Sequence, residues 1–443
     1  MLRWRLAGVG VTLGLLVGGG ALMRVGATVL PAGAKASPPK VLQLFYTAPV
    51  LVRAGERVRI PVDVICATDA GSACDATVGL RVSSGGSSAT RTTEATKGLK
   101  FDVTGPARRA LGSRPDGVVR FALSAKTTGG RTVSLPEGGR TLAFYVTRSM
   151  PIVTVPAIPF GHVRRGRTVL FLRWGSGPNR VGLQPGIESA TLGPSSFDVD
   201  EDGRIALVDS LQDRLALFGH GRLIDETHLP IGADGMLALD ADGSPSLLDV
   251  SGEEMAIRSI SSAGHVEPSV PLGRGIASQV RSVNDGVYAN VLPLDGWEKA
   301  PGTGRGPGLT VGMPLPGGRQ LLRVAREDSV RLGIIDHYAV SNAVELRSAV
   351  RFGEVALAEL DPDGAYIVVV RTWREGVQPA DQFQVIRVAP DRSVSTFAVS
   401  SREFAQAAPQ GRFRLGPNGA LYQMTSSPEG VRVVRFDLGE ELR

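Results

Sequence analysis

The stretch Phe197-Asp198-Val199-Asp200-Glu201-Asp202-Gly203-Arg204-Ile205-Ala206-Leu207-Val208-Asp209 decides the fold of this 443-residue chain. Apolar residues alternate on both sides of an acidic turn closed by Gly, the pattern of two short antiparallel strands joined by a tight hairpin. The turn returns at Asp242-Gly243, Asn284-Asp285-Gly286, Asp363-Gly364 and Asn418-Gly419. A phrase recurring about every forty residues marks a solenoid, a propeller or another array.

Around the best copy, strands are expected at 196–200, 204–208, 214–218 and 223–227, and the next copy repeats the order at 236–240, 246–250, 255–260 and 265–270. Four antiparallel strands in such a length make one propeller blade. Turn centres near 202, 242, 285, 363 and 418 leave room for one degenerate blade near 320–350, which gives six. The last copy supplies only three strands, at 412–415, 421–425 and 431–437, whereas Val169-Leu170-Phe171-Leu172-Arg173-Trp174 is a strong strand standing before the first blade. Pairing 168–174 with the last blade closes the ring and removes two exposed edges.

The blade phrase, with an Arg-containing third strand such as Arg214-Leu215-Ala216-Leu217-Phe218, resembles the NHL-repeat six-bladed propellers over roughly 160–440. That resemblance implies fold more than function, since such propellers include protein- and RNA-binding modules, lyases and lactonase-type hydrolases. Metal-dependent lactonase-type relatives hold a divalent ion in the central channel through carboxylate and Asn ligands. Here Asn occurs only at 179, 284, 290, 342 and 418, and no ligand is matched residue by residue.

The length suggests two domains, and 42% hydrophobic residues with 56 Gly, 29 Pro and only 5% aromatic residues suits an all-β chain of short strands and many turns. Residues 1–36 read as a signal peptide or signal anchor: a basic start, Met1-Leu2-Arg3-Trp4-Arg5, an apolar run from Leu6 to Met23, then small residues. Gly18-Gly19-Gly20 and Arg24 argue against a permanent span, so the expected location is secreted or extracytoplasmic, tethered to the membrane only if that segment is retained. Without it, 45 Lys+Arg stand against 43 Asp+Glu, too even a balance for a nucleic-acid partner.

Residues 41–148 alternate apolar and polar residues in short runs, including 58–64, 77–82, 100–103, 118–123 and 141–146, which reads as an immunoglobulin-like β-sandwich. Residues 149–160, rich in proline, follow as a stiff linker, and 161–443 form the propeller. Cys66 and Cys74 are expected to pair in an oxidising compartment. Their bond would staple a hairpin made of 58–65 and 76–82; a redox pair or thiolate metal site lacks the C-x-x-C spacing or His neighbours.

Asp198-x-Asp200-x-Asp202-Gly203, with Asp209 in the twelfth place, also satisfies the grammar of a calcium loop, but an EF-hand loop sits between helices and these acids lie between strands. A hairpin that needs only the positive φ of Gly explains them as well. His162, His220, His228, His265 and His337 form no metal-binding motif, and neither a nucleophile elbow nor a phosphate loop is present in the sequence. No catalytic, cofactor-binding or metal residue is assigned. Two long connections on the face opposite the Asp-Gly turns carry Trp297 with Glu298 and Trp373 with Arg374, candidate anchors for a partner if exposed, or lids over their own blades if not. The sequence therefore points to a non-enzymatic binding or scaffold protein presenting a propeller to a protein, peptide or glycan at the cell envelope. Its alternative is a lyase or lactonase-like hydrolase working in the central channel.

Overall fold

The computed structural model describes residues 25–28, 43–46, 51–65, 76–84, 87–94, 99–111, 116–127, 132–135, 142–186, 190–229, 235–240, 242–250, 255–261, 265–266, 270–271, 276–283, 286–292, 296–300, 312–336, 339–374, 380–405 and 411–438. The chain is all-β in the described residues apart from the helix Thr104–Leu111 and two single 3-10 turns. Cys66, Cys74 and His337 fall outside the described residues.

Two sheets form the first part. One runs in the order Val25–Thr28, Gln43–Tyr46, Arg59–Ile65, Leu99–Asp102; the other runs Leu51–Arg53, Leu142–Thr147, Gly117–Thr127, Ala76–Ser84, Ser87–Glu94. Alternate residues of both, Ile60, Val62 and Phe101 from one and Leu80, Phe121 and Phe144 from the other, share a single core. This corrects the hairpin expected between 58–65 and 76–82. Arg59–Ile65 pairs with Gln43–Tyr46 and Leu99–Asp102, and Ala76–Ser84 pairs with Ser87–Glu94 and Gly117–Thr127. The two strands lie in different sheets and turn their alternate apolar residues into the shared core from opposite sides. The helix was not expected either. Its Thr104 amide donates to Asp102 Oδ1, and it buries Ala107 and Ala110 in the same core. Val25–Thr28 lies inside the segment read as a signal.

From residue 152 onward the strands of the described residues group into six successive sheets. The first is Ser196–Val199, Ile205–Asp209, Arg214–Gly219 and Arg222–His228, within one or two residues of the expected bounds. The second spans Gly235–Leu239 to Val270–Pro271, the third Ile276–Val283 to Gly296–Lys299, and the fourth Met313–Pro314 to Ala339–Arg347. The fifth spans Phe352–Leu360 to Val394–Val399, and the sixth Phe413–Leu415 to Gly430–Phe436. Innermost strands touch from the first sheet to the third and from the fifth through the sixth back to the first, while the fourth joins its neighbours through Met313–Pro314 against Gly296–Lys299 and Gln320–Ala325 against Phe352–Leu360, so the array is a closed β-propeller. The seam is the expected one: Arg167–Trp174 runs antiparallel to Gly430–Phe436. A methyl group on Gly430 would run into the Leu172 carbonyl, so this strand approaches closely only because the residue is glycine.

A common turn joins the two innermost strands of five sheets. The amides of Asp200, Asp240, Leu315, Asp361 and Gly416 each donate to the carbonyl four residues on. The fourth residue of each turn is Gly203, Gly243, Gly318, Gly364 or Gly419, with φ between 73° and 84°. Left-handed backbone of this kind costs a side-chain-bearing residue about 1–2 kcal/mol, which is why Gly recurs. The fourth sheet carries the copy that the Asp-Gly pattern does not show, Leu315-Pro316-Gly317-Gly318-Arg319.

The proline-rich segment is not a free spacer. Ile152–Thr154 adds a parallel edge strand to Ala339–Arg347 of the fourth sheet. Beyond it, the carbonyls of Pro156 and Ile158 accept from Gln384 and Gln382 of the fifth, and the Arg164 amide donates to Ala398 of the same sheet. The segment thus straps the fourth and fifth sheets before entering the seam of the sixth. Leu51, Tyr145 and Met150 of the first part pack on Leu322, Ile335 and Ala343 of the fourth sheet. At the same contact Arg331 donates two hydrogen bonds to Glu56, 2.8 and 3.0 Å, and one of 3.0 Å to the buried Glu345.

Candidate functional site at the mouth of the channel

A cavity of about 450 Å³ occupies the centre of the ring and is lined from all six sheets. Strand alternation decides which side chains reach it. In each sheet the residue two places before the turn faces inward, giving Asp198, Ala238, Arg281, Met313, Glu359 and Arg414 in order round the ring. Pro316, Pro362 and Pro417, each in second place of its turn, stand on the rim.

Four of these six residues are charged, and they tie the ring across its gaps. Arg414 Nε stands 3.7 Å from Asp198 Oδ1, while its Nη2 donates to the Leu237 carbonyl at 3.1 Å. Opposite, Arg281 Nη1 reaches past the fourth sheet to Glu359 at 3.0 Å, passing 3.7 Å from Met313 Sδ. The Arg281 Nε is buried and has no hydrogen-bond partner among the described residues. Asp198 also accepts from the Leu239 and Val199 amides at 2.9 and 2.8 Å. Burial nevertheless pushes its carboxyl above the ordinary range, and the Glu359 charge adds to that, against the pull of Arg414 and the two amides. The mouth therefore holds a carboxyl whose hold on its proton is raised by burial, together with two guanidinium groups.

The three acids of the calcium-like phrase do not converge. Asp198 faces the channel, Asp200 Oδ2 is 2.6 Å from Arg204 Nε, and Asp202 is exposed with Arg204 at 3.3 Å. Asp200 and its equivalents are turn residues, and Asp361 likewise holds the Ala365 amide and Arg387. No cluster of His, Cys, Asp and Glu suited to a metal ion occurs among the described residues.

The two Trp positions sit in strands, not loops. Trp297 lies in the third strand of its sheet, only 5% exposed, and lines the cavity. Glu298 beside it is half-buried. Trp373 lies in Tyr366–Arg374 and rests its ring over Gly353, where a side chain would collide with it. Arg374 is exposed and stacks on Phe160 of the strap. The Trp373 ring therefore folds onto its own sheet, whereas the Trp297 ring is buried at the cavity wall.

No family model and no curated protein matches the chain. Among solved structures it is similar in outline to hydrazine synthase of Kuenenia stuttgartiensis, at 13% identity over 54% of this chain and 76% of that one, with a TM-score of 0.36. An inactive virginiamycin B lyase from Staphylococcus aureus, solved with quinupristin, gives 9% identity, 73% and 92% coverage and a TM-score of 0.32. A gluconolactonase from Xanthomonas campestris gives 11%, 61% and 98%, with a TM-score of 0.27.

Proposed function

We propose that this is an extracytoplasmic protein whose six sheets are the blades of an NHL-like propeller, and that it binds a small polar molecule at the mouth of the channel. An immunoglobulin-like sandwich, 41–148, is docked on the fourth blade. The observation that carries this reading is the 450 Å³ cavity, whose wall holds Asp198, Arg281, Glu359 and Arg414 where a purely structural channel would be filled with apolar side chains. A protein, peptide or glycan at the envelope would enter by a terminal residue or a single ring, since the cavity admits no more.

The test is calorimetric titration of the intact protein with neutral and acidic monosaccharides, organic acids and short peptides, repeated on Pro362→Trp. Pro362 is exposed on the rim, so the bulky side chain should block the mouth while leaving the fold intact. Binding that the blocked variant loses supports the reading; binding that it keeps, or none at all, overturns it.

A second reading, a lyase or lactonase-like hydrolase, is favoured by Asp198 itself. A carboxyl that holds its proton above the ordinary range, next to Arg414, has what a general acid requires. Turnover of a lactone panel that vanishes in Asp198→Asn would establish it, and turnover that persists would end it.

A further inference from the structure

The cavity is lopsided, and the cause is one short strand. In the first, second, fifth and sixth sheets only the innermost strand and its turn reach it. Between the third and fourth sheets it spreads outward, to Asn290 and Trp297 on outer strands of the third and to Leu321 and Arg323 on the second strand of the fourth. The innermost strand of the fourth sheet is only Met313–Pro314, against the nine residues of Phe352–Leu360 in the fifth. Two residues cannot cover the strand behind them, and a lobe opens there.

That lobe has an excess of positive charge. Arg281, Arg319 and Arg323 line it, with Glu359 as the acid that Arg281 engages. Arg323 reaches the Val355 carbonyl at 3.5 Å, at the limit of a hydrogen bond, and Arg319 is exposed with its Nε 3.3 Å from the Pro316 carbonyl. Neither contact uses more than a fraction of the five donors a guanidinium carries. The buried Nε of Arg281 adds a donor with no acceptor among the described residues. Beside these groups the Trp297 indole supplies an apolar wall.

We propose that the lobe between the third and fourth sheets is an oxyanion subsite, in which Arg323 and Arg319 grip the carboxylate or phosphate of a small ring compound whose body lies toward Trp297. The proposal rests on the reading that the channel mouth binds a small molecule. Guanidinium forks suit either oxyanion by paired hydrogen bonds, and such charge-assisted bonds are about twice as strong as neutral ones.

The experiment compares glucuronate, glucose 6-phosphate and glucose as calorimetric probes on the intact protein, Arg323→Gln, Arg319→Gln and the double variant, with thermal melts to confirm folding. At least one acidic probe should bind more tightly than glucose and weaken as salt is raised, and each single variant should cost it about tenfold. Binding of glucose should not change in the variants. Equal affinity for all three probes, or an acidic probe indifferent to the double variant, overturns the subsite while the wider reading stands. If none of the three binds to the wild-type protein, the subsite falls as well. The wider reading fails separately, when Pro362→Trp leaves the binding of a probe unaltered.

Discussion

Arginine meets carboxylate in two places that solve the same electrostatic problem differently. At the docking face Arg331 is 4% exposed and four of its five donors are engaged: two bonds to Glu56, one to Glu345 and one to the Leu51 carbonyl at 3.3 Å. Glu345 is also met by Arg53 and Arg347. At the channel mouth, Arg281 is 22% exposed, engages Glu359, and leaves Nε without an acceptor. A closed network fixes two parts of a protein with respect to each other, whereas one with spare donors facing a cavity is still able to take a ligand. Saturation, not the mere presence of charge, separates scaffold from site here.

The largest break in that comparison is expected at Arg331. Removing it takes the buried partner from Glu345, to which Arg53 and Arg347 remain, and leaves Glu56 to Arg326, so Arg331→Ala should lose about 3 kcal/mol, the low end for breaking a buried ion pair. Replacing the pair together, as Arg331→Met with Glu345→Leu, should recover most of the loss, because an apolar pair of similar volume often equals a buried ion pair. Denaturant melts of the full chain measure both. A single variant as stable as the wild type would mean that the two parts are not locked through this network. By contrast, Arg323→Gln at the mouth should leave stability within about 0.5 kcal/mol, because this half-buried side chain stands to lose only its long bond to the Val355 carbonyl.

Protonation sharpens the contrast, because the two acids move in opposite directions. Burial alone would raise Glu56, but the hydrogen bond and charge of Arg331, helped by the Arg53 amide and Arg326, hold it below the ordinary range. Its stabilising contribution is therefore complete above the unfolded-state value and is lost as pH falls through the lowered one. Asp198 is raised by burial, so the stability tied to its proton is present below the unfolded-state value and lost as pH climbs through the raised one. Across an acid series of melts, Glu56→Gln should differ from wild type most at neutral pH and least at the acid end. Asp198→Asn should gain on wild type as pH rises through the carboxylate range, at about 1.4 kcal/mol per unit of separation. Parallel curves for the two variants would show that the acids do not differ as described.

Most of the ring was readable because its cause is local. An Asp-Gly pair at a hairpin leaves a signature in four residues, and the seam strand 169–174 announces itself by its apolar run. The fourth turn escaped because Pro316-Gly317-Gly318 keeps the required backbone while dropping the acid. The site was harder still. Asp198, Arg281, Glu359 and Arg414 lie far apart in sequence and converge only when the ring closes. A signal was nonetheless there: each stands two places before its turn, on the inward side of a period-two strand, where Ala238 and Met313 complete the set. In the first part the alternation locates strands but not their pairing, since it shows which face is buried and says nothing about which neighbour lies beside it.

The smallest effect concerns the turns that frame the mouth, and it separates frame from site. At both Gly203 and Gly318 a Cβ would meet nothing within 4 Å, so substitution meets only the backbone cost of φ values of 75° and 73°. Gly203→Ala and Gly318→Ala should therefore each lose about 1 kcal/mol. Equality is the informative part, because one turn is rich in acids and the other has none. If Gly203→Ala proved much the costlier, the acids of the first turn would be contributing to stability beyond its geometry, and Asp200 would have to be counted with the saturated charges of the docking face. If Gly318→Ala alone also altered binding of an acidic probe, the Pro316–Arg319 turn would belong to the site through Arg319 as well as to its frame.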